Sequence, residues 1–287
     1  MLAKRAAHAT AAAAVSMHQM LRFSANLGFL WERLPLPDRV AAAKAAGFDA
    51  VEFHFPYDVP APALRAAIGA LPVLAVNTRR GDRAGDFGLS AVPGREAEAR
   101  AAIDEAIAYA EAIGARAVHV MAGRPGDASG EKAHRLFQSA LDHAAGRASE
   151  SGLDILIEPI NQRDAPGYFL RTTDQAAAII GELGRANVRL LFDCYHTQIT
   201  EGDLTRRLER LMPLIGHIQI AAVPTRAEPD EGELAYDRLL PAIEAMGYSG
   251  FIGAEYKPRS GVEAGLGWLK AARAHPRTRP GSSIRAR

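Results

Sequence analysis

The sequence predicts a single domain with the fold of a (β/α)8 TIM barrel. A helix-patterned stretch that ends in glycine is followed within a few residues by a short apolar strand, and this unit recurs at least five times. Eight candidate strands spread over about 250 residues match the size of a closed barrel. No GxGxxG follows the first strand, and no GxxxxGK[ST] or GxSxG occurs. The usual sequence support for an open dinucleotide-binding sheet, a phosphate loop or a serine hydrolase is therefore missing.

The predicted elements alternate in order along the chain. The strands are expected at residues 21–26, 50–53, 74–77, 117–120, 155–158, 188–193, 217–221 and 251–255. Glycine adopts the left-handed conformation at little cost and often follows the last residue of a helix. Five glycines mark such helix ends: Gly47, Gly114, Gly152, Gly184 and Gly247. Helices that alternate with apolar strands indicate a parallel sheet.

Composition narrows the class of protein. Lysine and arginine total 34 against 33 acidic residues, so a net charge of +1 does not favour a nucleic-acid partner. One cysteine, Cys194, excludes an intramolecular disulfide, and it is expected to pack against helices. The single cysteine fits a reducing cytoplasm, and since there is no run of 18 apolar residues we expect no membrane span. The catalytic domain is predicted at 21–273, between a disordered extension at 1–20 and a disordered basic tail at 274–287.

Four polar residues end or interrupt the last four predicted strands. They are Glu158, Asp193, Gln219 and Glu255, separated by 35, 26 and 36 residues, each about one β/α repeat. Active sites of such barrels lie at the C-terminal ends of the strands, so these side chains are expected to converge. Each carboxylate alone has an ordinary alternative as a helix cap or an ion-pair partner. Gln219, however, lies among apolar residues, and a buried amide needs a partner.

Three carboxylates and one amide oxygen make a hard, all-oxygen site. Such a site favours one divalent ion, Mg2+ or Mn2+, over zinc. An ion there would hold adjacent carbonyl and hydroxyl oxygens of a substrate and stabilise the enediolate formed when a carbon-bound proton leaves. The residues therefore predict a metal-dependent enzyme that acts on a small hydroxy-carbonyl compound.

The same residues lie in segments that resemble the hydroxypyruvate isomerase family, which includes 2-oxotetronate isomerases and belongs to the xylose-isomerase-like TIM barrels. The resemblance covers residues 21 to about 270. The matching segments are 22–27 (RFSANL), 51–53 (VEF), 55–57 (FPY), 93–96 (PGRE), 157–161 (IEPIN), 192–196 (FDCYH), 217–221 (HIQIA), 228–229 (EP), 232–233 (GE) and 255–258 (EYKP).

This resemblance implies roles for individual residues. Glu158, Asp193, Gln219 and Glu255 are implied as the metal ligands, and Glu158 and Glu255 as the catalytic pair that removes and returns the proton. Sugar epimerases of the superfamily typically have histidine where this chain has Gln219. That difference favours the hydroxypyruvate branch.

The implied substrate is a small anion, so a further cation is needed. Three ionised carboxylates and a divalent ion sum to a negative charge, which leaves the substrate carboxylate unpaired. The candidates for substrate binding are His196, Arg226, His119 and Lys257. Glu52 ends the second strand, where it could orient a ligand, but a structural salt bridge is the favoured role. The glycine-containing loop from Asn77 to Pro93 is a candidate lid.

The leading prediction is isomerisation of hydroxypyruvate to tartronate semialdehyde. The alternatives are a 2-oxotetronate isomerase, then a sugar epimerase, and more remotely a DNA-repair endonuclease, which would need many histidines and a basic groove. A non-catalytic binding protein is disfavoured because every polar position of the site is present. The sequence leaves the choice of substrate, the metal and homo-oligomer formation open.

Overall fold

The computed structural model describes residues 21–128 and 130–274, which form a closed barrel of eight parallel strands in chain order. Every neighbouring pair is parallel, and β8 closes the barrel by pairing with β1. The strands are β1 (Arg22–Asn26), β2 (Ala50–Phe53), β3 (Val73–Asn77), β4 (Ala115–His119), β5 (Asp154–Ile157), β6 (Val188–Asp193), β7 (Ile215–Ile220) and β8 (Phe251–Ala254).

Helices surround the strands. They are α1 (Leu36–Ala45), α2 (Ala61–Ile68), α3 (Glu96–Ile113), α4 (Gly130–Ser149), α5 (Thr173–Leu183), α6 (Cys194–Thr200), α7 (Leu204–Leu211), α8 (Tyr236–Ala245), α9 (Val262–Gly265) and α10 (Gly267–Ala274). In α3 the buried residues recur every three or four positions, which places one apolar stripe against the barrel. The main core lies between these stripes and the outward faces of the strands.

The predicted fold is confirmed. All eight strands occur within two residues of their predicted positions. All five glycines predicted to end helices have positive φ angles, between 60° and 88°. Cys194 is fully buried in the main core, as expected.

The barrel interior is polar at the C-terminal ends of the strands and apolar one layer below. Side chains two residues apart on a strand share a face, so the residues two positions before the polar ones on β3 to β6 also point inward. These residues form a small apolar cluster of Ala75, Ala117, Leu156 and Leu191. The residues above them are polar. A layer of apolar side chains therefore fills the barrel directly below the candidate site.

Two predictions about the chain ends concern residues that are not described. The extension at 1–20 and positions 275–287 of the predicted basic tail lie outside the described residues, whereas Ala274 is the last residue of α10. Within 21–128 and 130–274, no helix combines the length and hydropathy needed to cross a membrane.

The helix-ending glycines allow a test of the backbone argument. Gly114 follows α3 with φ of 73°, so Gly114→Ala should lower the free energy of unfolding by about 1 kcal/mol because alanine is strained there. Gly181 lies inside α5, and an added Cβ there would meet nothing within 4 Å. Gly181→Ala should therefore stabilise the protein by roughly 0.5–1 kcal/mol. Thermal unfolding measures both, and equal shifts in the same direction would contradict the argument.

Candidate active site

A cavity of about 60 Å3 opens at the C-terminal ends of the strands. Glu158 and Glu255 both line it, each one residue beyond the end of its strand, β5 and β8 respectively. Asn77 and His119, the last residues of β3 and β4, also line it, and His119 Nδ1 lies 3.7 Å from Glu158 Oε2. The barrel therefore gathers residues that are far apart in the sequence around a space suited to a ligand of a few heavy atoms.

Three of the four predicted ligands each carry a buried oxygen without a hydrogen-bond partner: Glu158 Oε1, Asp193 Oδ2 and Gln219 Oε1. The other oxygen of Asp193, Oδ1, accepts from the backbone N–H of Tyr195 at 2.7 Å and caps α6. Asp193 and Gln219 are paired neighbours on β6 and β7, so both side chains face the barrel interior. Buried polar atoms are normally satisfied, and three such oxygens at one end of the barrel fit a bound cation.

Glu52 orients the Gln219 amide. The Glu52 carboxylate accepts from His217 Nε2 at 2.6 Å and from Gln219 Nε2 at 3.3 Å, which leaves the Gln219 carbonyl oxygen without a protein partner. Gly253 provides the space, because a Cβ there would lie 2.5 Å from Glu52 Oε1. Glu52 thus pairs with His217, and the same carboxylate directs the Gln219 amide.

Two side chains, Arg226 and His54, donate hydrogen bonds to Glu255. Its Oε1 accepts from Arg226 at 3.0 Å and from His54 Nε2 at 3.2 Å. The His54 ring occupies space that Gly28 leaves free, since a Cβ at Gly28 would lie 2.1 Å from the ring. Arg226 adopts a left-handed backbone conformation, with φ of 57°. Backbone hydrogen bonds to Ala222 and from Lys257 hold Arg226 in this strained position.

The carboxyl groups differ in acidity. Burial raises the pKa of Glu158 well above its usual value, and the nearby charges of Glu255 and Asp193 add to the effect. Burial and the charge of Glu255 raise the pKa of Asp193 to about 7. Burial alone would also raise the pKa of Glu255, but the hydrogen bond from His54 and the charge of Arg226 outweigh it and lower that pKa to about 2. Glu255 is therefore ionised at neutral pH, whereas burial and the neighbouring charges favour the protonated form of Glu158.

The described residues include a buried group that could hold a metal ion, consisting of Glu158, Asp193 and His196. Their ligand atoms lie within 4.8 Å of one another. The carboxylates fit a divalent cation, and so does the unpartnered amide oxygen of Gln219. Glu255 is not in this group of three; its Oε1 is already bound by Arg226 and His54.

The hydrogen bonds of Asn161 fix the tautomer of His196. Asn161 Oδ1 accepts from the backbone N–H of Asp164 at 2.8 Å, so its Nδ2 faces His196 and donates to Nδ1 at 2.6 Å. The backbone N–H of Asn161 points to the same ring nitrogen, at 3.4 Å. Because Nδ1 accepts, Nε2 carries the proton. Nε2 lies 3.7 Å from both Glu158 and Asp193, where an N–H donates rather than binds a cation. We therefore keep His196 as a predicted substrate contact.

The other predicted substrate contacts occupy different positions. His119 lines the cavity, with Nδ1 at 3.3 Å from Asn77 Oδ1 and a buried, unpartnered Nε2. Burial lowers the pKa of His119 to about 4, so its ring is neutral at pH 7. Arg226 lines the cavity and binds Glu255. Lys257 is exposed, and neither of the two cavities at this end includes it.

Sequence reasoning missed several residues of this site. His54 follows the end of β2 directly, as Glu158 follows β5 and Glu255 follows β8, so the rule that found the glutamates would also have found it. Asn77 is the last residue of β3. Arg80 and Asn161 lie on loops, where the position relative to the strand gives no such signal.

Comparison with known proteins places this barrel in a family. The family model described as xylose isomerase-like TIM barrel matches residues 40–272. The chain is 50% identical over 255 residues to the 2-oxo-tetronate isomerase of Cupriavidus necator, covering 88% of this chain and 98% of that protein. It is 40% identical over 254 residues to the hydroxypyruvate isomerase of Escherichia coli, covering 87% and 98%.

Solved structures agree on the fold. A crystal structure described as AP endonuclease, family 2, from Brucella melitensis superposes with a TM-score of 0.86 at 39% identity, covering 88% of this chain and all of that one. The fold and the relatives together define an enzyme of the isomerase class. The chain belongs to the xylose isomerase-like TIM barrel family.

The hydrogen bond from Asn161 to His196 can be tested by replacing its donor with an acceptor. In Asn161→Asp a carboxylate faces Nδ1, so the His196 proton should move from Nε2 to Nδ1. Long-range 1H–15N NMR of the metal-free protein identifies the protonated nitrogen of each ring. The His119 signals should keep their tautomer and serve as the internal control. A His196 ring protonated on Nε2 in both proteins would show that Asn161 does not fix the tautomer.

Proposed function

We propose that this protein is a metal-dependent isomerase of a three- or four-carbon hydroxy-keto acid, with Glu158 and Glu255 transferring the proton. The observation that carries the proposal is the pair of buried glutamates with opposite pKa shifts on the wall of one small cavity. A pair of titratable groups whose environments separate their pKa values can divide the roles of base and acid. Relatives at 40–50% identity named as isomerases of such acids support it.

Glu255 is the first proton acceptor in this proposal. Its pKa of about 2 keeps it ionised, and both of its hydrogen bonds are made by Oε1. No described residue donates to Oε2, which can take the carbon-bound proton. Glu158, with a raised pKa, returns a proton to the neighbouring carbon. His196 donates through Nε2–H, and a substrate carbonyl or hydroxyl oxygen would accept it.

Glu158, Asp193 and Gln219 would hold the metal, each through an oxygen without a protein partner. The family resemblance implies Glu255 as a fourth ligand, but its Oε1 is bound by Arg226 and His54 and its Oε2 is the oxygen assigned to the proton. The three unpartnered oxygens suit Mg2+ or Mn2+. When bound, such an ion stabilises negative charge that develops on substrate oxygens during proton removal. The chain supplies the rest: a small cavity, the oriented amide of Gln219 and the two proton-transfer groups.

Two substrates remain candidates. Hydroxypyruvate is the first prediction from the sequence, and its product would be tartronate semialdehyde. The second candidate is 2-oxotetronate, which is supported by the 50% identity to the 2-oxo-tetronate isomerase of Cupriavidus necator. Both share the hydroxy-carbonyl group and the carboxylate, so the same residues serve either one.

The remaining alternatives are weaker. The Brucella melitensis neighbour is described as an endonuclease. That chemistry is expected to need a metal site with many histidines. Among the described residues, the candidate metal group contains one histidine, His196. A sugar epimerase is disfavoured because sugar epimerases of the superfamily typically have histidine at the position of Gln219. Cleavage of abasic duplex DNA by the purified protein would restore the endonuclease alternative.

Glu158→Gln and Glu255→Gln test the proton-transfer pair. Each keeps the shape of the side chain but removes the acid–base group, so kcat for the keto acid should fall by roughly 10²–10⁴-fold. Glu105→Gln is the matched control, because Glu105 pairs with Arg79 on the surface. Initial rates with hydroxypyruvate and 2-oxotetronate give the answer. Undiminished turnover in either active-site variant would refute the assignment of that glutamate.

Metal binding should stabilise the protein, and more so above pH 7. The folded-state pKa of Asp193 is raised to about 7, so protons compete with the cation below that pH and are released above it. Saturation at 100 times Kd corresponds to about 2.7 kcal/mol of stabilisation. Thermal unfolding of chelated protein with and without Mn2+ or Mg2+, at pH 6 and pH 8, measures this. Asp193→Asn should reduce the shift, and equal melting temperatures with and without metal would speak against the site.

A further inference from the structure

Arg80, on the loop after β3, lines the cavity that contains Glu158 and Glu255. It also lines the neighbouring cavity of about 300 Å3 beside β1 and β2, so it stands where the two spaces meet. Its side chain is exposed at this mouth. We propose that Arg80 binds the carboxylate of the substrate. This inference rests on the proposed function for the identity of that substrate.

The other arginines of the two cavities are already engaged. Arg226 donates to Glu255 and lies 3.5 Å from Asp164. Arg39 donates to three backbone carbonyls, those of Leu34, Leu27 and Glu32, at 2.7–2.8 Å. Among the described residues, the Arg80 guanidinium has neither a carboxylate nor a carbonyl partner. It is therefore the arginine whose donors remain available to a ligand.

Aromatic rings hold the Arg80 guanidinium in place. Its Cζ lies 4.8 Å from the ring centre of Phe55 and 5.0 Å from that of Phe87. Phe87 in turn packs edge-on against the fully buried Tyr168, with ring centres 5.8 Å apart. Contacts of this kind orient a guanidinium without occupying its N–H groups.

The backbone of the loop is also fixed. Gly88 N–H donates to the Arg80 carbonyl at 2.8 Å, and Gly88 forms a bridge with Ala122 beyond β4. A Cβ at Gly88 would lie 2.6 Å from the side chain of Met121, so the two segments are in close contact. These contacts anchor the loop that the sequence suggested as a lid; its closure over the site stays a prediction. Arg80 is thus positioned before any ligand arrives.

Charge is distributed unevenly around the cavity. Arg124 lies next to Arg80, with its Cζ 5.2 Å from the same Phe87 ring, and makes this side positive. Glu255, which is ionised at neutral pH, and Glu158 line the same cavity and make it acidic away from the arginines. A hydroxy-keto acid has the matching polarity, because its carboxylate needs donors while its hydroxy-carbonyl end is the part that loses and gains the proton.

The test compares three ligands with one carbon skeleton. Glycerate carries a carboxylate, glycerol is neutral and glycerol 3-phosphate carries a phosphate, and none can be isomerised at a carbonyl. Isothermal titration of the full, Mg2+-supplied protein should show that Arg80→Met weakens glycerate binding by about 10–100-fold, the usual effect of a hydrogen bond to a charged group. Glycerol binding should not change. Arg79→Met is the control, because Arg79 pairs with Glu105.

Turnover gives a second, separate readout. Arg80→Met should raise KM for hydroxypyruvate or 2-oxotetronate about 10–100-fold and change kcat by less than threefold, because the carboxylate does not react. Arg80→Lys should recover part of the loss. Glycerate affinity within twofold of wild type in Arg80→Met, or tighter binding of glycerol 3-phosphate than of glycerate, would overturn the proposal. Absence of wild-type turnover with both keto acids would refute the proposed function alone, since the titration does not depend on catalysis.

Discussion

The burial of three carboxyl groups at one end of the barrel is the constraint on which the rest of the site depends. Glu158, Asp193 and Glu255 are each at most 6% exposed, so their mutual repulsion is poorly screened. The structure relieves it in two ways. Glu255 gains Arg226 and His54, whereas Glu158 and Asp193 keep oxygens without protein partners. This difference separates the pKa values of the two glutamates and leaves space and charge for a cation.

Hydrogen bonds from neighbouring residues orient the polar groups of the same site. Glu52 holds the amide of Gln219, and Asn161 holds the ring of His196, so each of these side chains presents one defined atom. Gly253 and Gly28 contribute by leaving space for Glu52 and His54. The site is thus built as oriented groups before a ligand binds, which reduces the reorganisation needed during reaction.

Much of this could be predicted from the sequence because the barrel converts spacing into position. Glycines that end helices and apolar strands at one-repeat intervals were enough to place all eight strands, and the strand ends gave Glu158, Asp193, Gln219 and Glu255. The hydrogen bonds of Asn161 and the position of Arg80 could not be predicted. Both residues lie on loops, where the direction of a side chain depends on tertiary contacts such as those of Arg80 with Phe55 and Phe87.

The central claim is that the chain moves a carbon-bound proton through its two buried glutamates. Proton NMR of the wild-type protein in D2O with Mg2+, and with hydroxypyruvate and 2-oxotetronate in separate samples, tests it most directly. We expect the isomer to form with deuterium entering at carbon, and both to be lost on chelation. Isomer formed without any deuterium at carbon, at a rate that chelation leaves unchanged, would contradict the account.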